Sequence, residues 1–432
     1  MKQLFRGGIH PNDGKALSRG GAPVPMPAPS RVIIPMSQHI GAPCSPLVKV
    51  GDTVKLGQKI GDGEGVCSPV HASVSGTVAA VEQLPIPGGR QAVCVVIDSD
   101  GKDTPDPAIK PRASHKGLSP AELAAIVREA GICGMGGAAY PTNSKILSTA
   151  GKTETLLINA CECEPYITSD DMVMCTWPEK VILGARILAD VIGAKHTVIA
   201  VEDNKPEAIE ALRAKAEGQE DIEIRALPTR YPQGAKKQLI LAVTGKEVAP
   251  GARTGALFNV TTVYSICRAV YEGLPITEKV VTVTGEGANE PKNVIVRVGT
   301  PIEQVLDFAG GVKEETCKVV CGGPMMGVAQ GNLAVPVVKG TNALLCLTDP
   351  APAAEDPACI RCGKCMDACP MGLQPLNLYR YVNCGDKEEL GRLNLEDCME
   401  CGCCAYACPA GRRLVQAIRL GKSIVKKQGG KK

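Results

Sequence analysis

Aromatic residues make up only 3% of this 432-residue chain, with a single tryptophan, Trp177, and three phenylalanines. A groove that stacks successive bases of a single strand needs several such rings, so nucleic-acid binding of that kind is excluded. Neither sign of charge is in excess: 48 Lys and Arg stand against 45 Asp and Glu, a formal balance of +3. That balance gives no electrostatic footprint for a polyanion or a broad membrane surface. No segment approaches the roughly 20 apolar residues that span a bilayer. The opening "MKQLFRGG" leads into no apolar signal core. These absences predict a soluble or peripheral cytosolic protein of about two to four domains. The one basic concentration, the tail "KSIVKKQGGKK", reads as a solvated terminus rather than a lipid-binding patch.

Cysteine, by contrast, is abundant, with 21 residues. In a reducing compartment this argues against a disulfide framework. Two runs, "CIRCGKCMDACP" (359–370) and "CMECGCCAYACP" (398–409), repeat the spacing C-x2-C-x2-C-x3-C-P. A tight loop of this spacing delivers three thiolates to one [4Fe–4S] cube, and the fourth points to the neighbouring cube. One cluster is therefore expected on Cys359, Cys362, Cys365 and Cys408. The other is expected on Cys398, Cys401, Cys404 and Cys369, with Cys403 a bystander. Structural zinc would use well-separated cysteine pairs instead of four-cysteine runs closed by proline. Two cubes side by side relay single electrons.

The first thirty residues, rich in Gly and Pro, read as an extended arm laid on another part of the molecule. Short β runs cut by Gly-Asp and Gly-Gln turns follow to about residue 98. They resemble the biotinyl/lipoyl carrier barrel in "VKVGDTVKLGQ" and "SPVHASVSGTVAAVE". The hairpin "GDGEG" (61–65) has no lysine to modify, so the barrel is expected without the carrier activity. His71 lies in it, and none of the five histidines has a partner at ligand spacing along the chain. After a Pro-rich linker, Ser119, Pro120 and Glu122 form a capping box that opens a helix to about residue 130. From 155 onward, strands "TLLINA", "HTVIAVED" and "DIEIRALP" alternate with helical patterns at 178–192, 206–217 and 234–244. Such alternation predicts a parallel, doubly wound α/β sheet. Residues 279–311 read as a small β-rich insert, and the chain from about 350 as helices around the cysteine runs.

Two loops carry the remaining chemistry. "GICGMGGAAYPTNSK" (131–145) contains G-x-G-x-x-A at Gly134, Gly136 and Ala139. It follows a helix rather than a strand, so it fails the context of a dinucleotide fingerprint. Its glycines still admit phosphate to backbone N–H groups, with a helix N-terminus near Thr142 and Lys145 beside it. "INACECEPYITSDD" (158–171) follows the strand at 155–160, where ligands of open α/β sheets bind. Asn159 is placed there to bond a flavin edge, and Glu162 and Glu164 to hold ribose hydroxyls.

Together these stretches resemble the NADH- and FMN-binding subunit of respiratory complex I. The likeness lies in the glycine loop, the acidic loop, "YPQGAKKQL" (231–239) and "FNVTTV" (258–263). With "RGGIHP" (6–11), the barrel and the double-cubane segments, the whole chain resembles the C-subunit family of the Rnf electron-transport complex. The resemblance implies four parts. They are an arm and lipoyl-like β barrel (1–100), a Rossmann-like parallel α/β domain for FMN and NAD(H) (115–275), a β-grasp-like SLBB-type insert (276–345), and an α-helical double-[4Fe–4S] ferredoxin domain (350–432). It further implies that Gly134, Gly136, Gly137 and Lys145 face phosphate and that Tyr140 contacts the nicotinamide cofactor. Asn159, Asn259 and Thr262 would contact flavin, Glu164 would lie near NADH, and Tyr231 would belong to the same site. Two positions depart from the pattern: Cys161 replaces an Asp, and Ala235-Lys236 replaces a Glu-Glu pair. Lys236 either meets the nucleotide's phosphates or marks a loop that has left the site.

NAD(H) moves two electrons as hydride and a cubane accepts one, so a flavin must stand between them. No catalytic acid or base is required. The implied function is the NAD(H)-facing, peripheral component of an ion-translocating ferredoxin:NAD+ oxidoreductase on the cytoplasmic face of the cell membrane. Its implied partners are membrane-embedded subunits and a ferredoxin-like B subunit. The alternatives are a corrin reductase of a metabolic microcompartment and an electron relay without NAD chemistry.

Overall fold

A computed structural model describes residues 5–137, 139–249, 255–349 and 357–429. The first four residues of the arm, residues 350–356 ahead of the cysteine runs, and the end of the basic tail (430–432) lie outside the described residues. Among the described residues no helix is long and apolar enough to cross a membrane.

The central sheet has four parallel strands in the order Ile222–Leu227, His196–Glu202, Thr155–Ala160, Leu257–Asn259. His196–Glu202 and Thr155–Ala160 are near-continuous apolar runs because helices cover both faces, whereas Ile222–Leu227 at the sheet edge alternates, with Glu223 exposed between Ile222 and Ile224. Helices α1 (Pro120–Glu129), α2 (Thr142–Thr149), α3 (Ser169–Thr176), α4 (Pro178–Ile192), α5 (Pro206–Ala216), α6 (Lys236–Thr244) and α7 (Val260–Tyr271) surround it. The capping box at α1 is formed: the Ser119 hydroxyl accepts from Glu122 N–H, and the Glu122 carboxylate accepts from Ser119 N–H (2.8 Å). Leu123 and Val127 of α1 join one core with Leu156, Ile158, Ile199, Val201 and Phe258. Gly184 in α4 lets α7 approach closely, since a Cβ there would lie 2.2 Å from the Val263 carbonyl oxygen.

Residues 31–99 form two small antiparallel sheets that share one core. One has the order Arg31–Pro35, Arg90–Ser99, Gly76–Ile86, Thr53–Val54. The other has the order Ser45–Pro46, Lys59–Asp62, Val70–His71. Val32, Val95 and Ile97 from the first meet Ile60 and Val70 from the second. His71 is a packed residue, 4% exposed, and burial holds its imidazole neutral by lowering its pKa to about 3.

A six-stranded mixed sheet holds the insert, and its outermost strand, Val24–Pro25, comes from the arm and pairs in parallel with Lys292–Arg297. The arm is thus laid on the insert, and it also clamps the central domain. Ile9 and Tyr231 exchange backbone hydrogen bonds of 2.8 and 3.0 Å, and Gly8 N–H donates to the Ala368 carbonyl (3.0 Å). Gly7, at φ +64°, presses on the C-terminal domain, where a Cβ would sit 2.6 Å from the Cys369 carbonyl. That last domain is built from helices Pro375–Cys384, Lys387–Arg392 and Leu414–Gly429 and a short helix inside each cysteine run.

Candidate functional site: a cavity between the sheet and the cysteine domain

The order of the central sheet reverses between Thr155–Ala160 and Leu257–Asn259, which makes their carboxyl ends the switch point where ligands settle in open sheets. Asn159 and Asn259 are register partners on these two strands. The Asn159 amide donates to the Gly234 carbonyl (2.9 Å) and its oxygen accepts from Cys161 N–H (3.1 Å). Asn259 caps α7 by accepting from Thr262 N–H (3.2 Å) and donates to Asp170 (2.7 Å). The Thr262 hydroxyl accepts from Met135 N–H (2.9 Å), which ties the glycine loop to α7. Gly136 passes so near that a Cβ would lie 3.4 Å from the Asn259 side chain.

The acidic loop is held from behind by a buried ionic cluster. Lys205 pairs with Glu202 at 3.1 Å, both fully buried, and Lys15 of the arm donates to the Glu164 carbonyl (3.0 Å). Glu162 accepts from Asp170 N–H (2.6 Å), Asp171 N–H (3.4 Å) and the Ser169 hydroxyl (3.3 Å). Its carboxylate therefore stabilises the N-terminus of α3 while it borders the cavity. Glu164 accepts from Met325 and Met326 N–H (2.7 and 2.9 Å), and burial raises its pKa. These bonds fix the insert's loop over the site. Cys161, which replaces an acid, donates its thiol to the Ala200 carbonyl (3.3 Å), and burial keeps it protonated.

These residues surround a cavity of about 670 Å³, within the roughly 300–1,000 Å³ range of cofactor sites. Its walls include Gly134, Gly136, Tyr140, Lys145, Asn159, Glu162, Glu164, Tyr231, Asn259 and Thr262. Gly137, at φ +105°, lies on the same loop but off the wall. Ala235 and Lys236 stay on the wall, so the loop has not left the site. Sequence reasoning missed Asp170, which bonds the Asn259 amide and the Thr261 hydroxyl (2.5 Å). It also missed Met326 and Asn342 from the insert and Met371, Asp397 and Met399 from the cysteine domain, all on the wall. Asp170 stood inside the quoted acidic loop; the others are brought in by tertiary structure alone.

The electrostatics suit an anion. Burial, reinforced by the charge of Lys236, holds the Lys145 ammonium down at about 8. Burial lowers Lys236 as well. Among the described residues no carboxylate is paired with either lysine. Lys236 is also the first residue of α6, a helix with no acid in its first turn. A cation there opposes the helix dipole. Partly buried Lys145, whose ammonium donates to the Leu257 carbonyl (2.9 Å), exposed Lys236 and a helix N-terminus, none of them met by a carboxylate among the described residues, suit the phosphate of a flavin mononucleotide.

At its other end the cavity reaches Cys401. The buried phenol of Tyr231 donates to the Cys401 carbonyl (2.7 Å), joining the central loop to the cysteine run. Cys398, Cys401, Cys404 and Cys369 line one small pocket, and Cys359, Cys362, Cys365 and Cys408 another. The two runs share a backbone: Arg361 and Glu400 lie at φ +56° and +60°, and Gly363 and Gly402 at +79° and +83°. In each, the N–H two residues on donates to the first thiol, Arg361 to Cys359 (3.3 Å) and Glu400 to Cys398 (3.4 Å). Hydrogen bonds of this kind stabilise the thiolate form that iron requires. Cys403 is fully buried and lines neither pocket.

One expectation fails. His39 does have ligand-type partners: its Nε2 lies 3.9 Å from Cys44 Sγ and 3.7 Å from Cys67 Sγ. Linear spacing hid this cluster because pairing of the neighbouring strands Ser45–Pro46 and Lys59–Asp62 is what folds Cys44 back against Cys67.

A nucleotide cavity walled by a parallel sheet and opening onto paired four-cysteine pockets defines an electron-transfer flavoprotein with iron–sulfur centres. Four family models match the chain. They are the RnfC barrel sandwich hybrid domain over residues 3–102, the Nuo51 FMN-binding domain over 127–268, the SLBB domain over 280–329 and the 4Fe-4S dicluster domain over 358–412. The C subunit of the Na(+)-translocating ferredoxin:NAD(+) oxidoreductase complex of Acetobacterium woodii is 46% identical over 431 residues, covering 97% of this chain and 96% of the relative. Its proton-translocating counterpart from Clostridium ljungdahlii is 43% identical over 432 residues, 98% of this chain and 94% of the relative. The C subunit of the ion-translocating oxidoreductase complex of Serratia proteamaculans is 43% identical over 91% of this chain and 57% of its own length. A crystal structure of an NAD+-reducing [NiFe]-hydrogenase aligns at 19% identity and a TM-score of 0.48, over 71% of this chain and 63% of that one. This chain belongs to the RnfC family, the C subunits of the ion-translocating ferredoxin:NAD(+) oxidoreductase (Rnf) complexes.

Proposed function

We propose that the chain is the NAD(H)-facing component of an ion-translocating ferredoxin:NAD+ oxidoreductase complex. It sits peripherally on the cytoplasmic face of the membrane, beside membrane-embedded subunits and a ferredoxin-like partner. One observation carries this reading: a single cavity has the glycine loop at one end and Cys401 of the double-cluster domain at the other. Bound there, FMN exchanges hydride with NAD(H) and single electrons with [4Fe–4S] clusters.

The chain's own residues bind, orient and shield. Gly134 and Gly136 leave room for backbone N–H groups to approach phosphate, and Lys145 and Lys236 supply charge. Asn259 is bonded to Thr262 and Thr262 to the glycine loop, while Asn159 is held by Gly234 and Cys161, which fixes the edge on which a flavin ring would rest. Tyr140, 39% exposed, stands free to stack on the nicotinamide cofactor. Glu164 borders the same mouth, and the insert's loop over it restricts water. Tyr231 locks the cavity to the cluster on Cys398, Cys401, Cys404 and Cys369. Cys359, Cys362, Cys365 and Cys408, which line the second cysteine pocket, would hold the other cluster, whose chemistry is one-electron exchange with a partner. No side chain needs to act as acid or base, because hydride transfer to flavin demands none. In this reading the residues 31–99 form a lipoyl-like barrel, the central domain is Rossmann-like and the insert β-grasp-like.

The test is direct. NADH added anaerobically to the cofactor-loaded chain should bleach the flavin absorbance at once. A flavin that stays oxidised, with FMN bound and NADH intact, refutes the NAD(H) assignment.

A further inference from the structure

In the N-terminal module, three soft or borderline ligand atoms converge outside the cofactor cavity. His39 Nε2, Cys44 Sγ and Cys67 Sγ all lie within 4.8 Å of one another. The separations are 3.4 Å between the two sulfurs and 3.9 and 3.7 Å from Nε2 to Cys44 and Cys67. Zinc bonds of about 2.3 Å to sulfur and 2.0–2.1 Å to imidazole, set at tetrahedral angles, require edges of roughly 3.8 Å between sulfurs and 3.6 Å from sulfur to nitrogen. We propose that His39, Cys44 and Cys67 bind one zinc ion.

The fold places these atoms by construction. Ser45 pairs with Asp62, which sets Cys44 against the turn that carries Cys67. Gly41 crosses the same turn so closely that a Cβ would meet the Val66 carbonyl oxygen at 2.0 Å. The imidazole is in the orientation a metal needs. Its Nδ1 lies 3.3 Å from the Ile40 carbonyl, which assigns the proton to Nδ1 and leaves a lone pair on Nε2. Without metal, that lone pair accepts from Ser68 N–H (3.1 Å) and the Cys44 thiol donates to the Ser68 carbonyl (3.4 Å). The Ser68 hydroxyl is fully buried and has no hydrogen-bond partner. A water on the fourth zinc position would give it one. Both cysteines are buried and His39 is half-buried, which leaves an entry path on the histidine side.

Binding is not a redox step. Zinc replaces the two thiol protons, which leave to solvent, and two Zn–S bonds and one Zn–N bond form. The ion would clasp two loops that already touch the glycine loop. Ile40 N–H donates to the Ala139 carbonyl (3.1 Å), and buried Lys339 bridges the Pro69 and Gly131 carbonyls (2.6 and 2.7 Å). The site therefore steadies the loop that faces the cofactor.

The test is metal analysis of the full chain with its clusters assembled, incubated with zinc sulfate and then dialysed against zinc-free buffer. Roughly one zinc per chain is expected beside the cluster iron, with an X-ray absorption shell of two sulfurs at about 2.3 Å and nitrogen or oxygen at about 2.0–2.1 Å. The double variant Cys44→Ser/Cys67→Ser should lose the zinc and keep its iron. No retained zinc, or zinc retained by a folded double variant, overturns the proposal. An all-sulfur shell, which would put zinc in the cluster pockets, overturns it equally. So does a Cys44–Cys67 disulfide in the intact chain, seen by mass as the loss of two hydrogens. Should the double variant fail to fold, the absorption shell of the unmodified chain still decides.

Discussion

If Lys145 meets the phosphate of FMN as proposed, FMN binding should depend on pH in a way that riboflavin binding does not share. Its ammonium is held at about 8 by burial and by Lys236, against an ordinary 10.5. In the empty chain this is a folding penalty, fully present below pH 8 and relieved as pH rises toward 10.5, because the unfolded chain holds the proton more tightly. A phosphate beside Lys145 reverses the balance, since the bound dianion favours the charged amine. The second pKa of a phosphate monoester is about 6, so the ligand's charge is constant above pH 7. Affinity should then fall about tenfold per pH unit above 8, roughly 30-fold between pH 7 and 9.5. Quenching of flavin fluorescence, titrated into the flavin-free chain, measures this. Lys145→Met should bind FMN about 10- to 100-fold more weakly at pH 7, the worth of a charge-assisted hydrogen bond, and should flatten the profile. Lys236→Met should shift the profile to higher pH by removing the repulsion. Riboflavin, without phosphate, should give a flat profile throughout. A flat FMN profile in the unmodified chain, or an unchanged slope in Lys145→Met, refutes the phosphate assignment.

Cys369→Ser should abolish the cluster that also uses Cys398, Cys401 and Cys404 and leave about four irons per chain; loss of the other cluster would refute the crossed ligand sets. Gly7→Ala drives a Cβ to 2.6 Å from the Cys369 carbonyl at a positive φ. A non-glycine residue there costs about 1–2 kcal/mol before the overlap, so a lower denaturation midpoint and faster iron loss are expected. Tyr231→Phe leaves the Cys401 carbonyl without its donor, at about 1–3 kcal/mol, and urea titration should register it with flavin content unchanged. Tyr140→Ala should raise KM for NADH while FMN affinity at pH 7 holds; a change confined to FMN would reassign the ring.

What could be read from the residues followed their physical periodicity. Thr155–Ala160 and His196–Glu202 are largely buried on both faces and announce themselves as apolar runs, and the edge strand Ile222–Leu227 shows itself by alternation, with Glu223 exposed between buried Ile222 and Ile224. Leu257–Asn259 spans three residues and carries no such pattern, although its Asn259 completes the switch point. Helix α3 was invisible because Asp170 and Asp171 are buried on it, their cost offset by Asn259, Thr261 and Arg19. The cluster cysteines were legible because their ligand geometry is local. The wall formed by Met326, Asn342 and Met399, and the meeting of His39 with Cys44 and Cys67, depend on strand pairing and domain packing that no linear spacing encodes.

The central claim, that electrons pass between NAD(H) and the clusters only through flavin, is tested by reducing the clusters chemically, removing the reductant, and adding NAD+ anaerobically. With FMN loaded, the clusters should reoxidise and NADH should appear, followed by cluster absorbance and NADH fluorescence; without FMN, the clusters should stay reduced. Equal reoxidation without FMN, or clusters that stay reduced with FMN bound, would contradict it.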